Sequence, residues 1–190
     1  MSNSKQKKSF FKTYLEQKNQ VGSWFPSWPL LVNNMCRKID FETADVIVEY
    51  GPGNGVFTKK LLKKAKPNTK LIVFELNIDF YNILKDKFND PRMILLNQGA
   101  ETLPEVLKEY NITKVDAILS SLPLAMIPKE IKNIILDNSY ACLKKEGIFL
   151  QYQYSLNSKK DIEKRYGKLK INLIPLNAPP AFVYKGVKQT

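Results

Sequence analysis

From Asp45 onward, short β-branched runs alternate with longer stretches whose apolar residues recur at helical spacing. The runs at 45–50, 71–75, 93–97, 115–120 and 147–152 are largely apolar, as strands buried on both faces should be. Between them the spacing predicts helices over 56–65, 79–88, 104–110 and 129–143; in the second, Phe80, Ile83, Leu84 and Phe88 share a face. Two more candidate strands, 168–174 and 181–185, have too short a link for a crossover helix, so the last one enters antiparallel. The pattern predicts an α/β fold: a doubly wound, mostly parallel seven-stranded sheet of the Rossmann-like type. Ligands of such sheets sit at the carboxyl ends of the strands. The functional loops are therefore expected near residues 50, 75, 98, 120 and 153.

The first 40 residues differ in kind. Lys5, Lys7, Lys8, Lys12 and Lys18 are opposed only by Glu16, and Phe10, Phe11, Tyr14 and Leu15 share one arc of an amphipathic helix. Val21-Gly-Ser-Trp-Phe-Pro-Ser-Trp28 then brings both tryptophans of the chain close together. Residues 1–40 are expected to form a basic, aromatic lid and membrane anchor, and 41–190 the catalytic domain. The candidate membrane residues are Lys7, Lys8, Phe10, Phe11, Lys12, Tyr14, Trp24, Phe25 and Trp28.

Charge sharpens this picture. With 30 Lys+Arg against 18 Asp+Glu, the chain carries +12 and should be drawn to a polyanion, either nucleic acid or an anionic membrane surface. Histidine is absent, which excludes a histidine base, a Ser-His pair or a His-ligated metal. Two cysteines, Cys36 and Cys142, are too few for a zinc framework, so no metal is expected. No apolar run reaches the roughly 18 to 20 residues of a membrane span, and no apolar core of a secretory signal follows the basic N-terminus. The expected location is cytoplasmic, peripheral to the inner face of the cell membrane.

The chemistry centres on Val48-Glu-Tyr-Gly-Pro-Gly-Asn-Gly55, which follows a strand and opens a helix. A dinucleotide fingerprint would need glycine at 56, where Val56 stands, and a P-loop would need Gly-Lys-Ser/Thr, which does not occur. Gly51, Gly53 and Gly55 behind Glu49 look like the cofactor loop of class I S-adenosylmethionine-dependent methyltransferases. Glu75, ending the second strand, is placed to accept both ribose hydroxyls. After the fourth strand comes Ser120-Ser-Leu-Pro-Leu-Ala-Met-Ile-Pro128. In methyltransferases acting on amino groups, this loop borders the acceptor and often carries an aromatic fourth residue. Here Leu124 fills that place, so no ring waits to stack on a flipped base.

The assembled pattern resembles the bacterial phospholipid N-methyltransferases, which methylate phosphatidylethanolamine. The resemblance runs from about Phe10 to Lys185. It rests on Val21-Gly-Ser-Trp-Phe-Pro-Ser27, Glu49-Tyr-Gly-Pro-Gly-Asn-Gly-Val-Phe-Thr58, Ser121-Leu-Pro-Leu-Ala-Met-Ile-Pro128, Gln151-Tyr-Gln-Tyr154 and Asn177-Ala-Pro-Pro-Ala181. It implies S-adenosyl-L-methionine as cofactor, leaving as S-adenosyl-L-homocysteine, held by Glu49, Gly51, Gly53, Asn54, Gly55, Glu75, Leu76, Gln98, Gly99, Ala100, Glu101 and Ser120. Where the family pattern is Gln-Gly-Asp-Ala, this chain has Gln98-Gly-Ala-Glu101, so Glu101 or the backbone must meet the adenine. The implied catalytic residues are Tyr154 and Ser121, with Leu122, Pro123, Leu124, Tyr152 and Tyr154 around the phospholipid headgroup. An RNA adenine N6-methyltransferase of the ribosomal dimethylase type is the alternative, and only under it is nucleic acid the partner.

Overall fold

The computed structural model describes residues 28–177 and 179–189. The expectations placed on Lys7, Lys8, Phe10, Phe11, Lys12, Tyr14, Trp24 and Phe25 lie outside the described residues. Helix α1 (Trp28–Cys36) opens the described chain, with Pro29 in its first turn, where a missing N–H costs nothing. Then come β1 (Val46–Tyr50), α2 (Val56–Lys64), β2 (Lys70–Phe74), α3 (Ile78–Lys87) and β3 (Met93–Leu96). A single 3-10 turn (Ala100–Thr102) leads into α4 (Leu103–Glu109), β4 (Val115–Ser120), α5 (Lys129–Cys142) and β5 (Leu143–Gln153). The described chain closes with α6 (Lys159–Tyr166), β6 (Lys170–Ile174) and β7 (Ala181–Val187).

The seven strands form one sheet in the order β3-β2-β1-β4-β5-β7-β6. β1 to β5 pair parallel, and β7 runs antiparallel between β5 and β6. The expected topology is thus the observed one. Strand alternation splits the core into two layers. Val48, Tyr50, Ile72, Phe74, Ile118 and Phe149 face α4, α5 and α6, while Ile47, Leu71, Val73, Ala117, Leu119 and Leu150 face α1 and α2.

Three elements depart from the sequence reading. Helix α1 buries Leu31, Val32, Met35 and Cys36, so these residues of the expected N-terminal segment pack into the core. Helix α6 is dominated by charge, and only Ile162 and Tyr166 enter the core. Strand β5 starts at Leu143, four residues before the expected 147, because Leu143 already pairs with Val115, ahead of an irregularity in which Glu146 takes a φ of +62°. Among the described residues no helix is long and apolar enough to cross a membrane, and no cluster of histidine, cysteine or acidic residues could hold a metal.

Both cysteines are free and buried. Burial pushes the Cys36 thiol up to about 12 and raises that of Cys142 as well. Only the thiolate reacts, so neither should label with a thiol reagent in the native protein at neutral pH. Both should label after unfolding, and rapid native labelling would contradict this packing.

Candidate active site

The glycine loop turns through three left-handed residues, with φ of +64° at Gly51, +58° at Gly53 and +80° at Gly55. Side chains avoid that region, and glycine enters it freely. The loop is tied on both sides: the Gly51 N–H donates to the Phe74 carbonyl at 2.9 Å and the Gly53 N–H to Glu75 Oε2 at 3.0 Å. A Cβ at Gly55 would lie 2.5 Å from the Phe88 ring and 2.7 Å from Leu84. Asn54 is exposed at the loop tip, and its carbonyl accepts Lys87 Nζ at 2.7 Å. Behind the loop, Glu49 is fully buried and Thr58 Oγ1 donates to its Oε2 at 2.7 Å, joining β1 to the first turn of α2.

Glu75 stands beyond the end of β2, only 4% exposed. Its Oε1 accepts the Asn77 N–H at 2.9 Å, opposite the Gly53 bond on Oε2. A carboxylate oxygen accepts two hydrogen bonds, so one place per oxygen remains for the two hydroxyls of a ribose. Asn97 fixes this turn by donating to the carbonyls of Glu75 at 2.8 Å and Leu76 at 3.2 Å. Leu76 is 47% exposed beside it, an apolar surface suited to a base. At the next strand end Gln98 is exposed and its Oε1 accepts the Thr102 hydroxyl at 3.0 Å. Ala100 is buried, and the Glu101 carboxylate folds over Gly99, where a Cβ would overlap it. Asn138 pins the Glu101 carbonyl at 2.7 Å. Glu101 thus turns its carboxylate back toward the Gln98-Gly99 turn, one residue later than the family pattern has it. The glycine cradle, the diol-sized carboxylate and this turn fit S-adenosylmethionine.

The acceptor loop leaves β4 against this cradle. Ser120 is buried with its hydroxyl accepting the Leu122 N–H at 3.3 Å, and the Ser121 N–H donates to the Tyr50 carbonyl at 2.9 Å. A Cβ on Gly51 would sit 3.1 Å from Leu122 Cδ2, so the two loops are in contact. Pro123 is half-buried beside Leu122. Leu124 has no exposed surface and packs with the core below. Its side chain therefore supplies no headgroup contact, which corrects the expectation placed on it.

Two glutamines of β5 close the loop from one face. Gln151 Nε2 and Gln153 Nε2 donate to the Leu122 carbonyl at 3.0 and 2.8 Å. On the other face, Phe57 stacks on Tyr152 with centroids 6.0 Å apart, and Tyr152 meets Tyr154 edge-on at 5.9 Å. The Ser121 hydroxyl is buried without a hydrogen bond of good geometry, close enough to Tyr152 to act on its hydroxyl. Tyr154 is 40% exposed and lies near Asn177, whose Nδ2 holds the Pro179 carbonyl at 2.7 Å and whose Oδ1 is buried without a hydrogen bond. Burial raises the hydroxyls of both Tyr152 and Tyr154 above the ordinary tyrosine range.

The structure thus gathers the glycine loop, Glu75, the Gln98–Glu101 turn, Ser121, Leu122 and Tyr154 at one edge of the sheet. Trp28 begins α1. Sequence reasoning missed Thr58, Asn77, Asn97, Gln151, Gln153 and Asn177. Asn77 carried a signal, since its side chain caps α3 at Asp79 with a 2.8 Å bond. The glutamines stood in the Gln151-Tyr-Gln-Tyr154 segment that carries the resemblance, but with a backbone carbonyl distant in sequence as partner their role could not be read there.

A family model described as ribosomal RNA adenine dimethylase matches residues 14–172. The ornithine lipid N-methyltransferase of Singulisphaera acidiphila is 27% identical over 185 residues, 95% of this chain and 96% of that protein. The ribosomal RNA small subunit methyltransferase A of Mycoplasma capricolum is 32% identical over 111 residues, 57% of this chain but only 40% of that protein. The match thus spans less than half the length of that RNA-directed relative. Among solved structures, the N-methyltransferase NodS of Bradyrhizobium japonicum superposes with a TM-score of 0.69 at 10% identity, covering 87% of this chain and 98% of that one. The Burkholderia thailandensis 1,6-didemethyltoxoflavin-N1-methyltransferase gives 0.69 at 11% identity over 96% of this chain and 87% of that one. At such identities these two likenesses concern the fold.

Proposed function

The chain belongs to the ribosomal RNA adenine dimethylase family of class I S-adenosylmethionine-dependent methyltransferases, and from that premise we propose that its methyl acceptor is the primary amine of phosphatidylethanolamine, presented at an anionic membrane surface. The observation that carries this reading is the filled carbonyl of Leu122. Gln151 Nε2, Gln153 Nε2 and the Leu124 N–H all donate to it, so it has no place left for an amino group. The amino nitrogen of adenine is conjugated with its ring and a poor nucleophile until hydrogen-bond acceptors draw on its N–H groups. An aliphatic amine needs only to lose a proton. Leu124, aliphatic and buried, removes the stacking partner as well.

When bound, S-adenosylmethionine supplies an electrophilic methyl for in-line displacement by the amine. The protein's part is to align and desolvate the reactants. Glu75 and the glycine loop fix the donor, while the Ser121 hydroxyl, buried beside Tyr152, stands behind the acceptor site rather than in contact with it. Tyr154 offers an aromatic face to the ammonium, worth roughly 0.5 to 2 kcal/mol. Because burial keeps Tyr152 and Tyr154 protonated, neither is the base, and the proton passes to water or to the lipid phosphate.

A pH dependence follows. A tyrosine raised above its ordinary value carries less tyrosinate at every pH, so the rate should rise tenfold per pH unit toward the amine's own value near 10, without a tyrosine inflection. Tyr154→Phe should keep that slope, since the ring remains, and lower kcat/KM about 3- to 10-fold through the lost hydroxyl. A slope abolished by the substitution would make Tyr154 the base after all. RNA adenine is the second reading, favoured by the family description and by the ribosomal relatives. Methyl incorporation into phosphatidylethanolamine vesicles tests the membrane part: it should increase with added phosphatidylglycerol and fall with salt. Incorporation indifferent to both would remove the anionic surface from the account.

A further inference from the structure

Beside the acceptor edge, a groove of about 340 Å³ runs between α1 and the turn joining β6 to β7. Leu30, Asn33 and Asn34 of α1 and Arg37, just beyond its end, line one side, and Ile174 at the end of β6 with Pro175 and Leu176 of the turn the other. The apolar walls are unusually open for leucines, with Leu176 75% exposed and Leu30 48%, while Ile174 forms a buried floor. Leu30 and Arg37 lie seven residues apart, roughly 10 Å along the helix. Arg37 has no carboxylate partner among the described residues. The β6–β7 turn stands at the same end of the sheet as Tyr154, since Ile174 pairs with Ala181 and the neighbouring Phe182 with Gln153. Asn177, next in the chain after Leu176, donates its N–H to the Ile174 carbonyl at 3.2 Å and its Nδ2 to the Pro179 carbonyl at 2.7 Å.

We propose that this groove seats an acyl chain of the lipid substrate, with Arg37 drawing the anionic phosphate to its polar end. The inference rests on the lipid reading and adds to it a chain site built from α1 and the β6–β7 turn. An apolar trough with one cation at its end matches an amphiphile of that polarity. Such a site would draw the lipid partly out of the bilayer and hold its amine beside Tyr154 while the donor is in place.

The test is calorimetric binding of alkyl phosphoethanolamines of increasing chain length, each below its micelle concentration, to the full chain. Affinity should rise about threefold to fourfold per added methylene until the groove is full. Leu176→Asp and Leu30→Asp should flatten that rise while S-adenosylmethionine binds with unchanged affinity; both side chains are exposed, so folding is not at risk. Arg37→Gln should weaken all lengths alike, by about 5-fold. Native affinity independent of length, as in a groove filled by the chain's own residues ahead of Trp28, would overturn the proposal. So would a full rise retained by both leucine variants. A methyl-transfer assay on the same compounds separates the two ideas. Length-dependent binding without transfer retires the amine acceptor and leaves the groove, and transfer without length dependence does the reverse.

Discussion

Gly55→Ala is expected to abolish S-adenosylmethionine binding and to lower stability by about 2 to 5 kcal/mol. Two costs combine. An alanine held at φ +80° carries left-handed strain of roughly 1 to 2 kcal/mol. Its Cβ would also press into Phe88 and Leu84, within 2.5 to 2.7 Å, and overpacking of that kind costs roughly 1 to 3 kcal/mol. The half-buried Phe88 ring can swing aside, but Leu84 is fully buried and cannot. Relief must come from the loop itself, which would lift Gly53 from Glu75. Urea unfolding gives the first quantity and calorimetry with the cofactor the second. A variant as stable as the native chain that still bound the cofactor would mean the loop is not the rigid cradle described above.

Glu75→Gln is the second large effect. The glutamate anchors two backbone N–H groups through its two oxygens, and the same oxygens are assigned to the ribose diol. A carboxamide has one oxygen, so its NH₂ must face one of those N–H donors. The substitution therefore loosens the loop and removes two charge-assisted bonds to the cofactor, each worth roughly 1.5 to 3 kcal/mol. The dissociation constant of S-adenosylmethionine should rise about 100-fold or more. A rise below about 10-fold would place the ribose elsewhere.

Much of this site could be read from the chain because its signals are local. Gly51, Gly53, Gly55 and Glu75 sit at strand ends that periodicity locates, and each acts within its own turn. The misses share the opposite character. Leu124 occupies a loop and so reads as accessible, but tertiary packing puts it under the α5 side of the sheet among Tyr50, Ile135 and Leu136. Helix α1 was hidden by its position behind an aromatic, proline-containing segment, which draws the eye to a membrane surface. Its buried set Leu31, Val32, Met35 and Cys36 nonetheless has helical spacing. Helix α6 offers only Ile162 and Tyr166, one turn apart, in a run of lysines and acids, too little apolar surface to announce a helix. Gln151 and Gln153 stand at alternate positions of a strand that reads as core. Their role appears only when the Leu122 carbonyl arrives from about 30 residues away.

The central claim is that the acceptor is a lipid amine and not a base. Its most direct test offers both acceptors in one reaction: labelled S-adenosylmethionine, mixed vesicles of phosphatidylethanolamine and phosphatidylglycerol, and small-subunit ribosomal RNA, with products separated by extraction. The account predicts label in methylated phosphatidylethanolamine and none in RNA. Label in RNA adenine, with the lipid unmodified, would contradict it and show that the Leu122 carbonyl gives up its glutamines when a base arrives.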